Sequence, residues 1–504
     1  MPISLISCVV NYNNKLAIGR NNGLLFRLRE DLKNFQMLTS NVLHNDSLLD
    51  KNVVLMGRKT WFSIPRDRRP LKGRINLILT NDKDLQKISP YPNVFNRNKF
   101  DKSFYFVNFE QFMDFYKRTN ANIYVIGGGE VYNKFLNMSD ISLKPTKVYM
   151  TEVYNSKFEK DMEPDAFMEH LSEEYKLVGV SDKKFDAGYN VNYRFLEYRY
   201  IYNYRTDELK YNELLKDVLY NGSERIDRTG VGTLSKFGYQ YKMDISQSIP
   251  LLTTKKVPWK HCIEELLWFM KGDTDARILQ KRGVKIWDGN TSREFLDKRG
   301  LNHYKEGILG AGYGWQWRFF GGNYSQAFSD TSIIDRKKVG GFDQLEYVMD
   351  LLKNDPFSRR IMMSYWNPPD FEKTALLPCH FSVQFYVEED VHKQKHLSCH
   401  FTMRSNDLFL GHPFNIFSYA VMTYILAAKT NMKPKELVFT GGDVHIYKNH
   451  LEQVNEQTSR KNRPLPRLML NPNLKYKDFS DMTIDDFEIV GYFPHGVIKA
   501  PMAV

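Results

Sequence analysis

Five short apolar runs in the first 200 residues constrain the fold most. ISLISCVV, NVVLMG, INLILT, SFYFVN and NIYVIGG each set apolar residues at consecutive or near-consecutive positions. Such runs suit strands buried on both faces, as in a parallel sheet covered by helices. The helical stretches EDLKNFQML, FEQFMDFYK and GEVYNKFL lie among them. The pattern predicts an α/β domain with a mostly parallel, mixed sheet. YKLVGVSD and VNYRFLEYRYIY, with Asp, Gly and Asn between them, predict an antiparallel pair at the sheet's edge. A polar–apolar helix restarts in YRTDELKYNELLKDVL. The first domain is therefore expected over 1–202, a short linker over 203–207 and a second domain over 208–504.

The second part has a different texture. Glycine-rich turns interrupt it at GVGTLSKFG, GILGAGYG and FFGGN. Helices in HCIEELLWFMKG and FNIFSYAVMTYILAAK mix with strands in RIMMSYW and HFSVQFYVEE, which predicts an α+β domain. The apolar stretch at 417–428 is too short to span a bilayer and is expected to be a buried helix. No membrane partner is expected. The N-terminal run lacks a preceding basic segment and breaks at Asn11, so it reads as a first strand rather than a leader.

Charge and cysteine content narrow the function classes. Lys+Arg 71 against Asp+Glu 59 gives a formal charge of +12, which suits nucleic acid or small anionic substrates. No run of five or six basic residues and no RNP, KH or zinc-knuckle signature supports the first. Binding to its own mRNA does not follow from any of these residues. Cys8, Cys262, Cys379 and Cys399 form no CxxC pair, so no metal site is expected. A reduced, cytoplasmic setting is the simpler expectation.

Asp31 shares a helical face with Phe35 and Leu38. An acid on that stripe has two readings. It is a first-turn residue stabilised by free amides, or a carboxylate that bonds a protonatable heterocycle. NVVLMGRKTWFSIP and NIYVIGGGEVY each run strand, glycine turn, helix start. Each suits a phosphate at a helix N-terminus, though neither is a GxGxxG fingerprint and a tight structural turn accounts for each equally well.

Taken together, ISLISCVV, AIGRNNGLLFRLREDLKNF, VVLMGRKTWFSI, GRINLILT, YVIGGGEVY and VYMTEV resemble dihydrofolate reductase across residues 1–202. The resemblance implies that Asp31 binds the pteridine ring and that Thr151 supports it. Arg74 matches the arginine that grips the glutamate carboxylate of folate. Leu24, Phe35 and Ile64 match the folate pocket. An NADPH site is implied at Ile18, Gly19, Arg58, Lys59, Thr60, Thr80, Ile126, Gly127, Gly128, Gly129 and Tyr132, with Cys8 bordering both ligands. Leu25–Phe26 departs from the family's Pro–Trp and removes an indole N–H that ties down a water.

Cys379, in TALLPCHF, reads alone as a buried thiol or as a nucleophile. Arg228, Arg359, Arg360 and Arg404 suit a clamp on a dianionic phosphate, or ordinary exposed positions. Glu265 lies on an otherwise apolar helix and is either capped by local hydrogen bonds or held for work.

RIDRTGVGT, HCIEELLWFMKGDT, IWDGN, YGWQWR, DPFSRRI, LPCHFSVQFYV, RSNDLFLGHPFNIFSYA and GGDVHIYKNH resemble thymidylate synthase nearly throughout 208–504. The resemblance implies that Cys379 attacks C6 of the uracil of dUMP. Arg228, Arg404 and Ser405 then hold the phosphate, with Arg359 and Arg360 donated by the partner subunit of a homodimer joined through these domains. Asn415 selects uracil, and His445 and Tyr447 contact the ribose. Glu265 organises water for proton transfer. Tyr313, His380 and Asp407 are accessory, with Asp407 reaching both ligands, Gly411 on the folate side and Trp287 forming part of the folate wall. 5,10-Methylenetetrahydrofolate is the implied cosubstrate. The pairing is that of bifunctional dihydrofolate reductase–thymidylate synthases of protozoa and plants, and the Asn/Lys/Tyr-rich texture resembles apicomplexan chains. A single active domain and an RNA-binding regulator are the competing readings.

Overall fold

The computed structural model describes residues 2–40, 52–91, 103–154, 163–227, 230–324 and 339–502. The chain divides into two compact units, Met1–Arg205 and Thr206–Val504.

In the first unit the apolar runs become the middle of one mixed sheet. Its main path runs Tyr175–Val180, Val191–Tyr200, Lys147–Tyr154, Ile3–Tyr12, Ile123–Val125, Val53–Gly57, Ile75–Leu79, Phe104–Val107. Strand Ile3–Tyr12 pairs in parallel with both Ile123–Val125 and Lys147–Tyr154. The first two strands of the path are antiparallel to their neighbours, as the sequence pattern predicts. Val53, Val54, Leu55 and Met56 are all fully buried, the signature of a strand covered on both faces. Helices Arg29–Thr39, Arg58–Ser63, Phe109–Arg118 and Gly129–Leu136 lie between these strands in the chain. Phe109–Arg118 begins at a capping box in which Asn108 and Gln111 satisfy each other's backbone N–H.

Besides Lys184–Asp186, which pairs with Val191–Tyr200, three short strands escape the sequence pattern. Lys15–Arg20, Gly23–Leu24 and Ala166–Met168 pair off the main path. They are too short or too polar to carry an alternation signal.

The second unit is built on a six-stranded sheet. The order is Ser223–Arg225, Thr233–Asp244, Lys433–Tyr447, Lys395–Asp407, His380–Glu389, Met362–Ser364. Lys395–Asp407 and Lys433–Tyr447 run parallel, and helix Gly411–Lys429 makes the crossover between them. Residues 417–428 fall inside that buried helix. Among the described residues no helix is long and apolar enough to cross a membrane. Helix Trp259–Lys271 packs Ile263, Leu267 and Trp268 into the core and stops at Gly272, whose φ of 81° suits a left-handed cap. A Cβ there would meet a ring atom of Phe319 at 2.8 Å.

Candidate active sites

In the first unit the expected cofactor residues cluster at the carboxyl ends of parallel strands. Two glycine turns follow Val53–Gly57 and Ile123–Val125, beside the point where strand order switches around Ile3–Tyr12. Gly57 and Gly128 are the caps of helices Arg58–Ser63 and Gly129–Leu136. The Gly57 N–H donates to the Gly127 carbonyl at 2.7 Å, which ties the two turns together. Gly127 has φ 120°, and a Cβ on Gly129 would lie 2.1 Å from the Phe167 carbonyl oxygen. The backbone must therefore approach closely here, which only glycine permits.

A cavity of about 880 Å³ opens over these turns. All twelve residues expected to hold a dinucleotide line it: Cys8, Ile18, Gly19, Arg58, Lys59, Thr60, Thr80, Ile126, Gly127, Gly128, Gly129 and Tyr132. Leu24 also lines it. Tyr132 donates its hydroxyl proton to the Ile6 carbonyl at 2.6 Å, fixing the ring between helix and sheet. Arg58 pairs with Asp82 at 3.3 Å, so part of its charge is already met. Sequence reasoning missed Asn81, Lys134 and Phe167 on the same wall. The Thr80–Asn81–Asp82 run, just past the strand Ile75–Leu79, was the available signal for the first.

Asp31 sits in the first turn of Arg29–Thr39, but its partner is not a backbone amide. The Thr151 hydroxyl donates to its Oδ1 at 2.5 Å. Burial pushes the Asp31 carboxyl above its ordinary range, and the Thr151 hydrogen bond opposes that shift. Register places Cys8 beside Thr151, and burial, then Asp31, drives the Cys8 thiol up. Arg74 is 7% exposed and donates to Thr39 Oγ1 at 2.6 Å and to the Lys72 carbonyl at 3.1 Å. Its guanidinium also lies over the Phe35 ring at 5.5 Å. Ile64 packs with the cluster of Val54, Met56 and Trp61. Phe26 is buried, edge-on to Tyr189 at 5.5 Å, so an aromatic partner replaces indole hydrogen bonding.

In the second unit Cys379 lies immediately before strand His380–Glu389. Its N–H donates to the Tyr313 hydroxyl at 2.8 Å. Arg404 donates through Nε to the Pro378 carbonyl at 2.8 Å and through Nη2 to that of Leu377 at 3.1 Å. The Arg404 N–H also bonds the Cys379 carbonyl, so the cation is locked to the segment that carries the thiol. His380 stacks on Tyr313 at 4.3 Å, and its Nδ1 bonds the Tyr419 hydroxyl at 2.7 Å. Burial lowers its pKa to about 3, so the ring is neutral near pH 7.

Glu265 accepts a hydrogen bond from the Trp287 indole N–H at 2.8 Å. Burial raises its pKa to about 7, with the indole bond opposing. Asp407 accepts from the N–H groups of Phe409 and Leu410, at the turn into helix Gly411–Lys429. Asn415, one turn into that helix, donates to the Gly411 carbonyl at 3.0 Å. Asp407 pairs in register with His445, and Ser405 with Asp443. His445 and Tyr447 share a strand face with ring centroids 5.2 Å apart.

Two expected groups stand apart. Arg228 lies outside the described residues. Arg359 and Arg360 are exposed and precede the edge strand Met362–Ser364. The antiparallel register sets Met362 opposite Gln384, and the Gln384 side-chain amide donates to the Arg359 carbonyl at 3.5 Å. At about 3.4 Å per residue, Gln384 lies roughly 17 Å along its strand from Cys379. The chain does not bring this pair to its own thiol.

A dinucleotide-type cavity beside a part-buried acid, and a thiol whose segment is tied to the Arg404 cation in a second unit, define a two-site enzyme of the reductase-plus-transferase class. Comparison with known proteins makes the assignment specific. Residues 5–200 match the dihydrofolate reductase family and residues 209–504 match the thymidylate synthase family. The chain is 38% identical to a bifunctional dihydrofolate reductase-thymidylate synthase of Zea mays, over 98% of this chain and 96% of that protein. It is 36% identical to one from Paramecium tetraurelia, over 97% and 96%. A thymidylate synthase of Human herpesvirus 8 is 49% identical over 59% of this chain and 85% of its own length. The chain belongs to the bifunctional dihydrofolate reductase–thymidylate synthase family. It is an enzyme of dTMP synthesis that methylates dUMP reductively and reduces dihydrofolate to tetrahydrofolate.

Proposed function

We propose that the two reactions run on the residues gathered in each unit, with NADPH in the first and 5,10-methylenetetrahydrofolate in the second. The cavity over the glycine turns supports the NADPH reading, because its two helix caps and Arg58 suit phosphates. NADPH supplies hydride when bound there. Asp31 then favours protonation of the pterin ring, and the Thr151 bond holds the carboxylate in place. Buried Arg74 grips the glutamate end of the substrate.

In the second unit the Cys379 thiolate attacks C6 of the uracil, which makes C5 nucleophilic. Arg404, Ser405 and Arg228 hold the phosphate, and Asn415 reads the uracil edge. His445 and Tyr447 meet the ribose. Glu265 orders water for the proton transfers, Trp287 orients Glu265, and neutral His380 braces Tyr313. Methylenetetrahydrofolate, when bound beside Trp287, Asp407 and Gly411, supplies the one-carbon unit and the hydride. Arg359 and Arg360 complete the phosphate grip of the partner subunit in a homodimer.

The observation that carries this reading is the pair of bonds from Arg404 to the Leu377 and Pro378 carbonyls, which sets a cation and the thiol in one rigid unit. The test is a coupled assay with dUMP, methylenetetrahydrofolate and NADPH, following dTMP and NADP⁺ separately. Cys379→Ser should lose both products, and added dihydrofolate should restore NADPH oxidation alone. Retained dTMP formation in Cys379→Ser would sink the nucleophile assignment.

A further inference from the structure

Strand Lys433–Tyr447 presents Asp443, His445 and Tyr447 on one face. His445 is 7% exposed, and its Nδ1 lies 3.0 Å from Asp443 Oδ1. The other carboxylate oxygen, Oδ2, accepts from Arg225 Nη1 at 2.8 Å. Arg225 ends the strand Ser223–Arg225, so it reaches to Asp443 across the intervening strand Thr233–Asp244. Each oxygen of the carboxylate thus has its own cationic or N–H partner.

An ionised carboxylate carries no proton, so the bond to His445 requires the hydrogen on Nδ1. Asp443 is held below the usual carboxylate range, first by the His445 bond and further by the positive charge of Arg225. A neutral ring with Nδ1–H leaves a lone pair on Nε2. Among the described residues Nε2 has no hydrogen-bond partner. Asp443 also sits in register beside Ser405 of the phosphate grip. A bare carboxylate there would oppose a dianionic phosphate.

We infer that Asp443 and Arg225 are positioning residues for the nucleotide: Asp443 fixes the His445 tautomer so that Nε2 accepts from a ribose hydroxyl, and Arg225 offsets the carboxylate's charge next to the phosphate. The inference rests on the reading of His445 as a ribose contact, and it assigns roles to two residues outside that contact set.

The tautomer is read without turnover. Full-length protein labelled with ¹⁵N-histidine is compared with His445→Gln to identify the His445 signals. The expected wild-type ring is protonated at Nδ1 and bare at Nε2. Asp443→Ala should relax it to a tautomer mixture, and Asp443→Asn, whose side-chain oxygen still accepts from Nδ1–H, should keep it. A wild-type ring protonated at Nε2, or an unchanged tautomer in Asp443→Ala, overturns the inference. If Asp443→Ala does not fold, the wild-type spectrum and Asp443→Asn still decide.

Steady-state kinetics test the consequence. The ratio of kcat/KM for dUMP over 2′,3′-dideoxyuridine monophosphate should fall about tenfold in Asp443→Ala, through KM. Discrimination by the wild type that survives in Asp443→Ala overturns the inference. No discrimination by the wild type, with the tautomer as expected, defeats the ribose reading instead. Arg225→Ala should raise KM for dUMP several-fold, and the double variant Arg225→Ala/Asp443→Asn should recover it. Failure to recover removes the charge-offset role.

Discussion

The Thr151 hydroxyl reaches Asp31 Oδ1 at 2.5 Å, across 120 positions of sequence. The bond joins a strand in the middle of the first unit's sheet to the first turn of a helix. It counters the burial that raises the Asp31 pKa. Thr151→Val keeps the shape of the side chain and removes the donor. The carboxyl should then titrate higher still, and the ionised form that favours pterin protonation should be lost at a higher pH as pH falls. We expect kcat for dihydrofolate reduction to drop about tenfold at pH 7, with its acidic limb moved upward. A pH–rate profile of the variant checks this.

Thr39 is fully buried and accepts a hydrogen bond from Arg74. Thr39→Val should free the guanidinium to move without removing it. KM for dihydrofolate should rise about five-fold, while a pterin substrate without the glutamate moiety should be unaffected. Equal losses on both substrates would show that the variant had disturbed the pocket as a whole.

Glu265 titrates at about 7, so its carboxyl is protonated below that pH and ionised above it. The Trp287 N–H bond favours the ionised form. Trp287→Phe should move the corresponding limb of the synthase pH profile to higher pH. No displacement of any limb would take Glu265 out of the titrating machinery.

His380 and His412 are buried and both titrate at about 3. Their folded pKa values lie below the ordinary histidine value. Stability is therefore complete above about pH 6.5 and is lost as pH falls towards 3. Each ring should cost roughly 3 kcal/mol by pH 4. Urea melts at pH 7 and pH 4.5 should show the loss, and His412→Gln should reduce it.

Much of the first unit was legible because buried parallel strands read as unbroken apolar runs, and glycine turns sit where the strands end. The residues that the resemblance assigns to NADPH line one cavity, since a strand–turn–helix segment keeps its own geometry. Asp31 and Glu265 were visible as acids on apolar helix faces. The resemblance named Thr151 beside Asp31, but the Trp287 bond to Glu265 was not visible, because the two meet only once packing is set. The same holds for Arg74 with Thr39 and for Asp443 with Arg225, each pair brought together by strand order rather than spacing. Of the two readings of Asp31, the bond to Thr151 favours the one that does not use helix amides.

Arg359 and Arg360 lie in the turn before the edge strand, beside Gln384 rather than beside the thiol of their own chain. The residues that line the dinucleotide cavity all come from the first unit. In the homodimer proposed above, a pocket complete within one chain and a pocket finished by another answer differently to dilution. Below the concentration at which chains pair, the reduction rate should stay proportional to the protein present, while the methylation rate should follow its square. The balance between making dihydrofolate and consuming it would then depend on how much of the enzyme a cell holds.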